Sequence, residues 1–283
     1  MNRIAVLGAG QMGSGIAQVC AAAGFSVVLR DLDPAALARA RGTIESSLDR
    51  LLAKGRIQAQ GRSDTLARIE VATSAEALAD VDLVIEAVTE NLAVKTAIFR
   101  ELSAVCRPDT ILASNTSSIS LTRLAAVVTH PERVIGMHFM NPVPMMPLVE
   151  VIRALQTSPA TFEAIDTLTR TLGKTPVDVK NSPGFVANRI LIPMINEAAF
   201  CRYEGLASSE EIDTVMKLGM NHPMGPLALA DLIGIDTVLA IMHVLYEGFN
   251  DSKYRPCPLL IEMVDAGRLG RKSGQGFFSY PAK

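Results

Sequence analysis

The chain has 283 residues, 49% of them hydrophobic and 20% charged, with a formal net charge of −2. That length holds one large domain or two modest ones with ample core, and the composition is that of a globular protein. The near-neutral charge gives no bulk field toward nucleic acid or an anionic membrane, and no apolar run reaches the roughly 18 residues of a membrane span. The four cysteines, Cys20, Cys106, Cys201 and Cys257, follow no CxxC or paired metal-ligand spacing. Arg3-Ile4-Ala5-Val6-Leu7 runs straight into Gly8 without the basic and apolar regions of a signal peptide. The expectation is a protein of the reducing cytoplasm, with no metal, nucleic-acid or membrane partner.

Arg3–Leu7 reads as a buried strand that delivers the chain into Gly8-Ala9-Gly10-Gln11-Met12-Gly13 and then Ile16-Ala17-Gln18-Val19, a helical start. A GxGxxG pattern alone is weak, but strand, tight turn and helix start supply the context of a dinucleotide loop. Gly8 permits the turn, Gly10 lets the backbone approach a pyrophosphate, and Gly13 lets helix pack on strand. The helix N-terminus adds oriented N–H groups for phosphate. Ser26–Arg30 reads as the second strand, and Asp31 at its end can accept from both ribose hydroxyls. A carboxylate there disfavours a 2′-phosphate, so NAD is expected over NADP, and strand alternation turns Arg30 to the other face.

Pro34–Lys54 reads as a long amphipathic helix stopped at Lys54-Gly55. Ile69–Ala72, Val81–Val88, Thr110–Ser114 and Val134–Phe139 read as further strands, with Leu92–Cys106 as a helix among them. This alternation predicts βαβ units: an α/β fold with a Rossmann-type doubly wound parallel sheet. Glu90, with Lys95 just beyond, follows the fourth strand, and Ser114-Asn115-Thr116-Ser117-Ser118 follows the fifth. Ligands bind outside the carboxyl ends of such strands. The same residues also suit a helix-start carboxylate with a solvated lysine, and a polar turn with an N-cap.

Val134–Phe139 ends at Asn141-Pro142-Val143-Pro144, and Leu148–Ile152 reads as another strand, so an intervening turn can bring Glu150 beside His138. A buried carboxylate on one imidazole nitrogen fixes the tautomer and leaves the other nitrogen as a base. That arrangement suits removal of a proton from an alcohol whose carbon gives hydride to nicotinamide. The alternative is a core histidine satisfied by a backbone carbonyl.

Beyond Lys174-Thr175-Pro176 the alternation stops, and residues 174–182 read as a linker. Ser182-Pro183 reads as a helix N-cap with proline at the first position, and Pro193 as a kink. Helical patterns follow at Ser209–Leu218, Pro226–Phe249 and Pro258–Ala266. The expected division is a dinucleotide-binding domain over 1–182 and an all-helical domain over 183–283.

These motifs resemble the L-3-hydroxyacyl-CoA dehydrogenase family, most closely its bacterial 3-hydroxybutyryl-CoA kind. The resemblance runs through the Gly-rich loop, Ser114–Ser118, His138-Phe139-Met140-Asn141-Pro142, Leu148-Val149-Glu150, Ser182–Arg189 and Gly270–Phe277. It implies His138 as the catalytic base, Glu150 as its orienting partner, and Ser117 and Asn188 as holders of the substrate oxygen. It implies cofactor contacts at Gly8, Ala9, Gly10, Gln11, Met12, Gly13, Asp31, Glu90, Lys95, Asn115, Ser117 and Lys272. It reads the Pro34–Lys54 region as part of a helical hairpin that touches coenzyme A through Ser47 and Lys54, with Arg50 and Arg56 nearby. It also implies a homodimer formed through the helical domain. Met140, Met145 and Met146 suit a small acyl pocket. Two other readings stay open: a dehydrogenase of a free hydroxy acid such as L-gulonate or carnitine, and a structural member without turnover.

Overall fold

A computed structural model describes residues 1–281. The chain packs as two units, Met1–Asn181 and the segment from Ser182 onward. The first unit runs β1 (Arg3–Leu7), α1 (Gln11–Ala22), β2 (Ser26–Arg30), α2 (Pro34–Ala53), α3 (Ala59–Ala67) and β3 (Ile69–Ala72). It continues with β4 (Leu83–Glu86), α4 (Leu92–Val105), β5 (Ile111–Ser114), α5 (Leu121–Ala125) and β6 (Val134–Phe139). Then come β7 (Leu148–Arg153), α6 (Pro159–Thr171) and β8 (Thr175–Lys180).

The eight strands form one sheet in the order β3-β2-β1-β4-β5-β6-β7-β8. All neighbours are parallel except β6 and β7, which form an antiparallel hairpin. Strands β4, β5 and β6 are buried at every position, as expected of runs of Val, Ile, Leu and Ala covered by helices on both faces. Ile4, Val6, Ile16, Leu29, Ile85 and Val151 join one hydrophobic core. Strand order reverses between β1 and β4, the switch point at which open α/β sheets bind ligands.

The expected linker over 174–182 is instead mostly strand β8, which pairs along its whole length with β7. Pro176 hides it in the sequence, yet an edge strand tolerates a missing donor. The fourth strand is also shorter than read, because Val81 and Val88 lie outside its ladder.

The second unit holds α7 (Ala187–Tyr203), α8 (Ser209–Gly219), α9 (Pro226–Ile233), α10 (Ile235–Phe249) and α11 (Pro258–Asp265). Ile192, Ile195, Val238, Met242, Leu245 and Leu260 form its core. Two sequence expectations change here. Helix α7 begins at Ala187 rather than at Ser182-Pro183, because Gly184 and Phe185 adopt positive φ values of 70° and 51°, incompatible with an α-helix. The single helix expected over Pro226–Phe249 breaks at Gly234, whose φ of 103° only glycine accepts readily. Its two halves cross at 98°. Helix α7 carries Pro193 inside its span. Among the described residues no single helix is long and apolar enough to cross a membrane.

Candidate active site

The dinucleotide loop is built at the end of β1. Gly10 caps α1 without a side-chain cap, and the first turn carries no acidic residue, so the helix N-terminus keeps its donors and its positive end for an anion. A Cβ at Gly10 would meet nothing within 4 Å, leaving open space where a phosphate can approach the backbone. A Cβ at Gly13 would stand 1.7 Å from the Gly8 carbonyl oxygen, so helix and turn can meet only through glycine. Gly13→Ala is therefore expected to cost about 1–3 kcal/mol of stability. It should also weaken NADH binding, as a thermal melt with an NADH titration will measure.

Asp31 lies directly after β2. Its carboxylate accepts from the Ala9 N–H at 2.7 Å and the Asp33 N–H at 3.0 Å, which fixes it against the loop. Arg30 is committed to Glu101 of α4 at 3.1 Å, with its side chain 9% exposed. Ala9 is buried, and Met12 packs against the core. Gln11 donates to Asn141 Oδ1 at 3.1 Å, tying the loop to the turn after β6. An open glycine face, an uncapped helix N-terminus and a carboxylate held beside the loop together fit a dinucleotide.

The β6–β7 hairpin sets His138 directly opposite Glu150. His138 Nδ1 lies 2.7 Å from Glu150 Oε2, and the two residues are 7% and 2% exposed. A carboxylate can only accept, so it holds the proton on Nδ1 and directs Nε2 to other work. The hairpin turn is pinned by Lys174, whose ammonium donates to the Val143 and Met146 carbonyls at 2.7 Å each. Burial holds the Lys174 ammonium below its ordinary pKa, against a small opposing pull from Cys20. Asn115 accepts from the Phe139 N–H at 2.9 Å and so joins the end of β5 to β6.

The loops after β4 and β5 meet through a buried carboxylate that sequence reading passed over. Glu86, at the end of β4, is fully buried. It accepts from Lys95 Nζ at 2.6 Å, from the Val88 N–H at 2.7 Å and from Ser114 Oγ at 2.6 Å. Lys95 is 1% exposed, so the reading of a solvated helix-start lysine fails. Its ammonium also lies 3.4 Å from Glu90 Oε2. Glu90 Oε1 accepts from Thr116 Oγ1 at 2.5 Å, from the Ser117 and Ser118 N–H groups at 3.0 Å each, and from Ser118 Oγ at 2.9 Å. Burial works to raise the Glu90 pKa, but Lys95 and these hydrogen bonds hold it below the usual carboxylate range.

The remaining sequence candidates are scattered by element. Ser47 lies on α2 and Lys54 caps its C-terminus, with α3 folding back as the second arm of a hairpin. Ser47, Arg50 and Lys54 share one helix face, since helical neighbours recur three and four apart. Among the described residues, Arg50, Lys54 and Arg56 have no carboxylate partner. Asn188 sits in the first turn of α7, half-buried. Lys272 lies in a short turn of the second unit, where its ammonium donates to Asp236 at 2.6 Å. Sequence reading missed Glu86, Asn141 and Lys174. A carboxylate inside the apolar run Val81–Val88 was the available sign for Glu86, whereas Lys174 lay in the supposed linker.

Comparison with known proteins agrees along the chain. The family model of the 3-hydroxyacyl-CoA dehydrogenase NAD binding domain matches residues 3–182, and that of the C-terminal domain matches residues 184–280. A probable 3-hydroxybutyryl-CoA dehydrogenase of Bacillus subtilis is 55% identical over 283 residues, covering 100% of this chain and 99% of that protein. A 3-hydroxybutyryl-CoA dehydrogenase of Bradyrhizobium diazoefficiens is 53% identical over 280 residues, covering 99% and 96%. The crystal structure of (S)-3-hydroxybutyryl-CoA dehydrogenase from Ralstonia eutropha superposes with a TM-score of 0.97 at 54% identity, covering 100% of each chain. The chain belongs to the 3-hydroxyacyl-CoA dehydrogenase family.

Proposed function

We propose that the protein oxidises a (3S)-3-hydroxyacyl-CoA to the 3-oxoacyl-CoA with NAD, and runs the reverse reaction, with a short-chain substrate such as 3-hydroxybutyryl-CoA. The observation that carries this reading is the buried His138–Glu150 pair on the same sheet as a complete dinucleotide loop. The names of the relatives support the substrate class.

The loop from Gly8 to Gly13 and Asp31 would hold NAD, with Asn115, Ser117, Glu90, Lys95 and Lys272 completing the set that the family resemblance implies. NAD, when bound, supplies the hydride acceptor. His138 Nε2 takes the C3 hydroxyl proton while the C3–H bond breaks with its electron pair, leaving a C3 carbonyl. Glu150 stabilises the imidazolium that forms. Ser117 holds the reacting oxygen, and the family resemblance implies the same role for Asn188. In reverse, the imidazolium returns its proton to the 3-oxo group.

Ser47 and Lys54, with Arg50 and Arg56 nearby, offer the coenzyme A phosphates basic groups that have no carboxylate partner among the described residues. A homodimer through the helical unit covers its exposed apolar residues Leu206, Val215, Leu218 and Met220. We place the protein in the reducing cytoplasm, where its four cysteines would stay as thiols.

The test compares acetoacetyl-CoA with free acetoacetate as oxidants of NADH. The thioester should be favoured in kcat/KM by about a hundred-fold or more, because remote binding energy is spent at the reacting carbon. Equal use of the free acid would move the protein to the hydroxy-acid dehydrogenases.

A further inference from the structure

A lysine–glutamate pair buried to 1% and 0% exposure needs a reason. Removing two charges from water costs about as much as their attraction returns, so such a pair is a poor device for stability alone. This one is fully satisfied. Glu86 receives three donors, and Lys95 reaches Glu86, Glu90 and the Val88 carbonyl. Its location is also specific, at the carboxyl ends of β4 and β5 beside the switch point.

The contacts run in one direction. Glu86 holds Lys95 at 2.6 Å, Lys95 faces one oxygen of Glu90, and the other oxygen gathers Thr116, Ser117 and Ser118. Charge-assisted bonds of this kind are shorter and stronger than neutral ones. Thr116 is buried and Ser117 half-buried, so the loop is fixed from its inner side.

We infer that Glu86 and Lys95 are positioning residues: through Glu90 they fix the Thr116–Ser118 loop, and with it the Ser117 hydroxyl, which itself donates to Glu90 Oε1 at 3.4 Å, where it would meet the substrate oxygen. This rests on the proposed role of Ser117. It assigns the Lys95 charge to the protein's own loop, whereas a lysine that served chiefly as a cofactor contact would act on NAD affinity. A misplaced catalytic contact costs turnover even where the ligand still binds.

The experiment uses the full-length enzyme, acetoacetyl-CoA and NADH, with Lys95→Met, Glu90→Gln and the double variant Glu86→Gln/Lys95→Met. Lys95→Met and Glu90→Gln should each lower kcat at saturating substrates by about ten- to a hundred-fold. The NADH Kd from fluorescence titration should rise by a clearly smaller factor than kcat falls, since both residues also belong to the proposed cofactor set. The double variant buries no unpaired charge, so its melting temperature should recover over that of Lys95→Met while its kcat stays low. A purely structural pair predicts the opposite, with kcat returning alongside stability, and that would overturn the inference. So would a ten-fold rise in NADH Kd with kcat preserved, which would confine Lys95 to cofactor binding. Glu90→Gln leaves the buried pair intact, so it carries the test if Lys95→Met does not fold. An inactive parent enzyme would count against the reaction class, and active variants beside an active parent would count against the positioning role.

Discussion

His138→Gln is expected to bind NADH normally and to lose about 10²- to 10⁴-fold in kcat, the range general acid–base catalysis supplies. At 1.36 kcal/mol per tenfold, that is about 3–5 kcal/mol of transition-state stabilisation. Binding should survive because the Gly-rich loop follows β1 and Asp31 follows β2, three and four strands from β6 in the sheet order. Turnover should fail because an amide cannot take the hydroxyl proton at neutral pH. Glutamine can still hydrogen-bond Glu150 across the hairpin, so the buried carboxylate is not stranded. Stopped-flow reduction of acetoacetyl-CoA, beside an NADH titration, separates the two effects. Near-parental turnover would remove His138 from the reaction.

Glu150→Gln tests the other half of the pair. The substitution keeps size and hydrogen-bonding capacity at a site 2% exposed, so the melting temperature should shift by no more than about 1 kcal/mol equivalent. The rate should still fall by about 10²-fold or more. A neutral amide does not stabilise the imidazolium, and because it can donate as well as accept it no longer dictates the proton's place on Nδ1; comparable losses of an orienting carboxylate are large. Residues that act as a unit are not additive. The His138→Gln/Glu150→Gln double variant should therefore be about as slow as His138→Gln alone. Multiplying losses would show that Glu150 acts outside the pair.

Much of this site was legible because local chemistry and global placement coincide. The run from Arg3 to Gly13 is strand, turn and helix start in one short stretch, and each glycine has a steric reason visible without neighbours. His138 and Glu150 were legible through strand spacing, since a hairpin between two apolar runs leaves few registers. The structure adds that the register sets them directly opposite. The Glu86–Lys95–Glu90 network was not legible. Its contacts depend on how β4, α4 and the β5 loop converge, and periodicity read Glu86 as one more residue of an apolar strand. Strand β8 was obscured by Pro176 and by its mostly exposed edge position. Lys174 shows the same limit. Beside an apparent linker it reads as a solvated charge, but in the fold it pins the turn that separates His138 from Glu150.

The most direct test of the central claim follows the hydrogen on the reacting carbon. (3S)-3-hydroxybutyryl-CoA carrying deuterium at C3 should be oxidised with NAD, and the deuterium should appear mole for mole in the reduced cofactor. The same label in His138→Gln should transfer at a rate lowered with kcat. Deuterium released to solvent, or no transfer from the thioester by the parent enzyme, would contradict the account.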